Sequence, residues 1–167
     1  MNLSSRSIVN KPALIRKIIA QLTSELELLM KAARAAHAEA THESSKAENK
    51  YDTRGLEASY LARGQSKQAA EVAQAIQDFE SLAVREFAAA EAIDVGALVE
   101  LKSKSESAFY FIGPRAGGTE VVHEKQEVLV ITPQSPLGAQ LVERKQGDNV
   151  KLAIAGATSE FRIAAVS

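Results

Sequence analysis

Ile15-Arg16-Lys17-Ile18-Ile19-Ala20-Gln21-Leu22 opens the stretch that decides the fold. From there Ile15, Ile19, Leu22, Leu26, Leu29, Ala33, Ala36 and Ala40 advance in alternating steps of four and three. That is the a/d spacing of a coiled-coil seam. A second run, Ala58, Ala62, Gln65, Ala69, Val72, Ile76, Phe79 and Ala83, repeats it. Side-chain size changes along both runs. The first is large up to Leu29 and alanine afterwards; the second is small up to Ala69 and large from Val72. Antiparallel helices would set large against large and small against small. The spacing therefore predicts a helical hairpin with its tip near residues 51–55, where Tyr51-Asp52-Thr53-Arg54-Gly55 offers a helix cap, a glycine and no seam residue. Two arms of about 40 residues, rising 1.5 Å per residue, make a finger roughly 60 Å long. A spike of that length suits reaching into something better than it suits stability.

Outward from the hairpin, the composition narrows the class. Much of the 46% hydrophobic share is alanine, aromatics are 5%, and there is no tryptophan. The net charge of −1 gives no bulk attraction to nucleic acid or membrane, and no basic face for duplex DNA is evident. Without cysteine there is no disulfide, redox thiol or zinc–cysteine site. No apolar run reaches membrane-spanning length, and Met1-Asn2-Leu3-Ser4-Ser5-Arg6-Ser7 lacks the apolar core of a signal peptide. A cytoplasmic protein is the expectation. Asn10 before Lys11-Pro12 reads as the first helix start. Gly64, unfavourable inside a helix, suggests close helix contact, a slight bend, or a partner backbone approaching there.

After residue 92 the four-three period stops and short β-type runs begin. Strands are expected at 96–102, 108–112, 119–123, 127–131, 149–155 and 159–166. A short helix is expected from Ser135, as its cap, through Pro136 to Arg144. The fold class is thus α+β: a hairpin over 1–92 and a mainly antiparallel sheet with one short helix over 93–167.

Candidate chemistry is sparse. Glu39, Glu43, Glu48, Asp52 and Glu57 gather around the expected tip, interleaved with Lys46, Lys50 and Arg54. Carboxylates at the end of a rigid rod can deliver ligands for Mg²⁺ into a deep site on another molecule. The same residues have a structural use, Asp52 capping the second helix and Glu57 complementing its dipole. His37 and His42 are five apart rather than four, and His123 stands alone; all three read as surface or boundary residues. There is no nucleophile elbow and no phosphate loop. The chain is not expected to be an enzyme in its own right.

Ile131-Thr132-Pro133-Gln134-Ser135-Pro136-Leu137-Gly138-Ala139-Gln140-Leu141, followed by Gly147-Asp148-Asn149-Val150, resembles the C-terminal signature of the bacterial GreA/GreB transcription elongation factors. The resemblance extends to the architecture, a coiled-coil hairpin before a small domain that the family implies to be FKBP-like. It implies a factor that binds RNA polymerase at the rim of the secondary channel and inserts its coiled coil. In the family, acidic tip residues help hold a catalytic Mg²⁺ and a water at the polymerase active site, where a backtracked transcript is cleaved. By position, Asp52 matches the family's tip aspartate and Arg54 its lysine, while the second tip acid falls on Gly55. Glu57 is the nearest substitute and Glu48 a second. The resemblance implies Asp52 and Glu57 as the catalytic and metal-holding pair. Nucleic acid would be met only through the elongation complex, with no membrane involved and the factor a monomer. Two versions stay open, a stimulator of transcript cleavage and a non-cleaving regulator that occupies the channel. A different class, an FKBP-type prolyl isomerase, needs an aromatic-lined pocket. Phe109, Tyr110 and Phe111 are consecutive and alternate faces, leaving Phe161 to add to either.

Overall fold

The computed structural model describes residues 10–41, 54–154 and 156–167. Helix α1 runs Lys11–Thr41 and helix α2 Arg54–Glu80, followed by strands β1 (Leu98–Lys102), β2 (Ser107–Ile112), β3 (Glu120–His123) and β4 (Gln126–Ile131), helix α3 (Pro136–Leu141), and strands β5 (Asn149–Ile154) and β6 (Ala157–Val166). The class is α+β, with six strands in one mixed sheet ordered β3-β4-β2-β1-β6-β5. Two compact units divide the chain. One holds α1 up to Ile19 together with Asp78–Ser167; the other is Ala20–Gln77. The expected hairpin tip at 51–55 lies largely outside the described residues, as do Asp52, His42, Glu43 and Glu48.

In the helical unit, burial follows most of the seam, with Ala75, one step off it, also buried. Leu22, Ala33 and Ala36 of α1 are buried, as are Ala62 and Ala69 of α2, and the seam residues Leu26, Leu29, Gln65, Val72 and Ile76 are half-buried. Leu28, one step off the seam, is 70% exposed. Gly64 is exposed, and a Cβ there would meet nothing within 4 Å. No close helix contact explains this glycine. Gly64→Ala is therefore expected to stabilise the protein by about 1 kcal/mol, read as a raised urea midpoint.

In the other unit, α1 begins as expected: the Asn10 side chain accepts from the Ala13 N–H at 3.0 Å, with Pro12 in the first turn. The second helix does not continue to Ala83. It stops at Glu80, and Ala83 is exposed. Alanine at the next seam position offers little to bury, whereas Phe87 and Ile93 further on sink into the core. The segment between them is held by a cluster of cations and carbonyls. Lys11 Nζ donates to the carbonyls of Arg85 (2.6 Å) and Gly96 (2.9 Å). Lys11 and Arg85 both sit over the Phe87 ring, at 5.0 and 3.8 Å from its centroid, and Arg85 pairs with Glu91.

Burial pushes the Lys11 ammonium down from 10.5 to about 8. Between these values the unfolded chain holds a proton that the folded chain has released, so stability rises with pH across that window. Urea titrations of wild type and Lys11→Met at pH 7.5 and 10 check this. The wild type should gain up to about 3 kcal/mol relative to the variant, at about 1.4 kcal/mol per pKa unit. A parallel pH response in both proteins would refute it.

The strands fall where the sequence puts them, and the sheet is mainly antiparallel as expected, with one parallel pair. β2 and β4 pair in parallel, Phe109 with Val128 through Ile112 with Ile131. The physical reason is burial. β4 carries Val128, Val130 and Ile131, all buried, and takes the interior place beside β2, while the four-residue β3 is left at the edge with Val122 exposed. The β3–β4 hairpin turns through Glu124 (φ 50°) and Lys125 (φ 66°), two left-handed residues without a glycine. His123, expected at the surface or a boundary, is a correction. It is 4% exposed rather than at the surface, and among the described residues neither ring nitrogen has a hydrogen-bond partner; Glu124 Oε1 is 3.8 Å away. Strand alternation turns His123 inward together with Val121.

One sheet face packs under α3 and the 81–97 segment, burying Val99, Leu101, Leu141, Phe161 and Ile163. Elsewhere in the unit Phe79, from the last turn of α2, meets Phe111 with ring centroids 6.2 Å apart.

Candidate functional site

The described residue pattern with the most specific local construction is the turn from β4 into α3. β4 ends at Ile131, and the chain must reverse within a few residues to begin α3. Ser135 makes that turn. Its backbone is extended (φ −69°, ψ 154°), its hydroxyl donates to the Thr132 carbonyl at 2.7 Å, and the same oxygen accepts from the Gly138 N–H at 3.1 Å. One hydroxyl thus closes the loop behind it and caps the helix ahead of it. Pro136 occupies the first helical turn, where no backbone donor is needed. Gly138 is buried, and a Cβ built on it would lie 1.8 Å from the Thr132 carbonyl oxygen. Leu141 is fully buried, and Leu137 and Val142 pack against the core.

The helix ends at Leu141, three residues before the expected Arg144. Val142 is extended (φ −59°, ψ 137°) and Glu143 is left-handed (φ 74°). The chain leaves the helix to exchange two backbone hydrogen bonds with Ile93, Glu143 N–H to Ile93 O (2.9 Å) and Ile93 N–H to Arg144 O (2.8 Å). Asp148 then closes the turn into β5, accepting from the Lys145 N–H at 2.9 Å, with Gly147 at φ 95°. Gly147 and Asp148 are stitched to Ile163 of β6 through backbone bonds of 2.8 Å.

What this leaves outside is a small, rigid and nearly uncharged platform. Gln134, Pro136, Ala139 and Gln140 are exposed around a buried anchor. Its side chains offer shape and hydrogen bonds rather than acid–base chemistry, which suits recognition.

The acids expected at the tip are placed less fully. Asp52 lies outside the described residues, so its relation to Glu57 is not on view. Glu57 is exposed in the first turn of α2, where a carboxylate complements the helix dipole. Among the described residues no three His, Cys, Asp or Glu side chains group as a metal site. Glu39 and His37 are exposed on α1. Sequence reasoning missed the Lys11–Arg85–Phe87 cluster, because Lys11 lies 74 residues from Arg85 and shares no period with it.

Phe109, Tyr110, Phe111 and Phe161 do not converge on one pocket: Phe109 and Tyr110 line one cleft with Val128 and Leu129, and Phe161 lines another. Phe109, Phe111 and Phe161 are buried, while Tyr110 is half-buried against the α3 core, its phenol pushed up by burial and by Glu106. Among the described residues, no helix is long and apolar enough to cross a membrane.

Comparison with solved structures finds transcription factors of the Gre type. A crystal structure of GreA factor homolog 1 (Gfh1) from Thermus thermophilus is 22% identical, covering 89% of this chain and 94% of that one, at a TM-score of 0.38. Thermus aquaticus Gfh1 is 25% identical over 90% and 92%, at 0.40. A GreA/GreB elongation factor from Nitrosomonas europaea is 17% identical over 67% and 92%, at 0.37. TM-scores below 0.5 leave the fold to be argued from this chain's own elements. No family model matches the chain, and no curated protein matches it.

Proposed function

We propose that this chain is a Gre-type factor that binds RNA polymerase and inserts its helical part into the secondary channel to modulate elongation. The finer architecture belongs to this reading: α1 and α2 as an antiparallel coiled-coil hairpin, and the sheet unit as an FKBP-like domain that docks on the channel rim. The observation that carries it is the β4–α3 turn. Five residues of the resemblance have a physical duty there: Ser135 as double-ended cap, Pro136 at the helix start, Gly138 against Thr132, and Gly147 and Asp148 in the turn into β5. The stretch that resembles the Gre signature is thus the stretch whose construction tolerates few alternatives.

On this reading the chain has no reaction of its own and works as a monomer in the cytoplasm, meeting nucleic acid through the elongation complex. Asp52 and Glu57 are the residues that would reach a Mg²⁺ held by the polymerase. Glu57, an exposed carboxylate in the first turn of α2, fits as one hard oxygen donor to a metal whose remaining ligands lie elsewhere. Such a metal, when bound, polarises a phosphoryl oxygen and activates water. The displaced second acid, with Gly55 at its expected place, favours the non-cleaving version.

Stalled elongation complexes supplied with Mg²⁺ separate the versions. If wild type stimulates transcript cleavage and Asp52→Ala or Glu57→Ala lowers it by about tenfold or more, the tip carboxylates act at the metal. Binding without stimulation makes the chain a channel-occupying regulator. Absence of polymerase binding removes the proposal.

A further inference from the structure

Three strands bring a row of polar side chains into register on one face of the sheet. Lys102 of β1 pairs with Arg162 of β6, and Arg162 pairs with Asn149 of β5. Partners in register point to the same side, so two cations stand directly opposite one another. Such a pair repels, and a sheet under no other demand does not gain from it. The two line a cleft of about 790 Å³ with Lys104, from the β1–β2 turn, and Glu160, one pleat along β6 from Arg162. Lys102, Lys104, Asn149 and Arg162 are all exposed.

The counter-charges do not fill the cleft. The buried Glu100 carboxylate approaches Lys102 at 3.4 Å and accepts from the Ser107 hydroxyl at 3.0 Å. Lys104 and Arg162 line the same cleft, with Glu160 as the carboxylate among its lining residues. The turn carrying Lys104 is pinned, because the Ser103 hydroxyl accepts from the Glu106 N–H at 3.1 Å and the Ser103 N–H donates to the Glu106 carbonyl at 2.8 Å. Three cations against Glu160 and the Lys102-paired Glu100 leave the cleft net positive in a chain whose overall charge is −1.

We infer that this cleft receives an acidic segment of a protein partner. Charge complementarity selects the sign, and Arg162 with Asn149 supplies the directional donors that carboxylates take. Two features select protein over nucleic acid. Phe161, the aromatic in the cleft wall, is 5% exposed, so no ring is offered for bases to stack on. Glu160 also lines the cleft, and its carboxylate repels a continuous phosphate chain but suits a protein surface of mixed charge. This surface is separate from the β4–α3 turn and does not depend on the polymerase reading.

The test is fluorescence anisotropy of the full chain with a labelled oligoglutamate peptide and, in parallel, a labelled single-stranded RNA of similar length, across a salt series. The peptide should bind saturably and weaken with salt. Arg162→Glu and Lys104→Glu should each weaken it by on the order of tenfold, and Glu160→Gln should tighten it. Lys67→Glu, on α2 in the other unit, should leave it unchanged. Circular dichroism melts confirm that the variants fold, and the gain expected of Glu160→Gln does not depend on a disruptive change. No saturable peptide binding, binding indifferent to both Arg162→Glu and Glu160→Gln, or RNA bound more tightly than peptide through the same residues would each overturn the inference.

Discussion

Gly138→Ala is expected to destabilise the protein by about 3 kcal/mol, at the upper end for forced overpacking, and to lower the melting temperature by roughly 6–12 °C. The reason is space rather than backbone freedom. Gly138 lies inside α3 with an ordinary helical backbone, but its missing Cβ would stand 1.8 Å from the Thr132 carbonyl oxygen and 2.8 Å from Ser135 Oγ. The Thr132 oxygen cannot retreat freely, because it accepts both the Ser135 hydroxyl and the Ser135 N–H, at 2.7 and 3.0 Å. An alanine would have to lift α3 from the loop and break the double-ended cap. Gly147 is the contrasting case. Its φ is 95° and a Cβ there meets nothing within 4 Å, so its requirement is conformational. Asparagine, which tolerates left-handed backbone, should cost about 1 kcal/mol at 147 and far more at 138. Urea denaturation of Gly138→Ala, Gly138→Asn and Gly147→Asn distinguishes the two. If Gly138→Ala melts like wild type, the close approach of α3 to Thr132 is wrong. Under the proposed function it should also weaken polymerase binding, since it displaces Pro136 and Gln134.

The helical unit was legible because period and size act locally. Leu22, Ala33, Ala36, Ala62 and Ala69 sit on the seam and are buried, as the alternation of fours and threes requires. The strands were legible for the same reason, with turn residues between short β-rich runs. What escaped depends on partners distant in sequence. Nothing near Phe87 or Ile93 announces that they replace Ala83 as the next buried apolar residues, because the surface that receives them is built by strands and by Lys11. The parallel β2–β4 pairing escaped because β3 separates the two strands in sequence, and no local signal tells which strand of the β3–β4 hairpin lies beside β2. His123 was misplaced because a lone histidine carries no sign of which strand face it takes. The turn at Ser135 was the reverse case: cap, proline and glycine each have a local signature, and the structure uses all three. For the tip acids, Asp52 rests on sequence and resemblance alone, and Glu57 gains only its exposed place in the first turn of α2.

Phe79→Ala should be the most damaging single truncation, lowering stability by about 3–5 kcal/mol. Phe79 is 1% exposed in the last turn of α2, and its ring meets Phe111 at 6.2 Å between centroids. It is also what leaves no room for a side chain at residue 113. A Cβ on Gly113 would lie 2.8 Å from Phe79 Cζ and 2.8 Å from Val130 Cγ1. Gly113→Ala alone should therefore cost about 1–3 kcal/mol by overpacking. The two changes cannot be independent, because the space that Phe79→Ala vacates is space that the alanine at 113 needs. In the double variant the clash with the ring disappears, and the contacts with Val130 Cγ1 and with the Arg115 carbonyl oxygen (3.2 Å) remain. Its loss should fall short of the sum of the single losses by at least about 1 kcal/mol. Lys67, exposed on α2 in the other unit, is the control. Lys67→Ala with Gly113→Ala should add within about 0.5 kcal/mol. Additivity of Phe79→Ala with Gly113→Ala would mean that the last turn of α2 does not rest on the β2 end as described, and that glycine at 113 answers some other need.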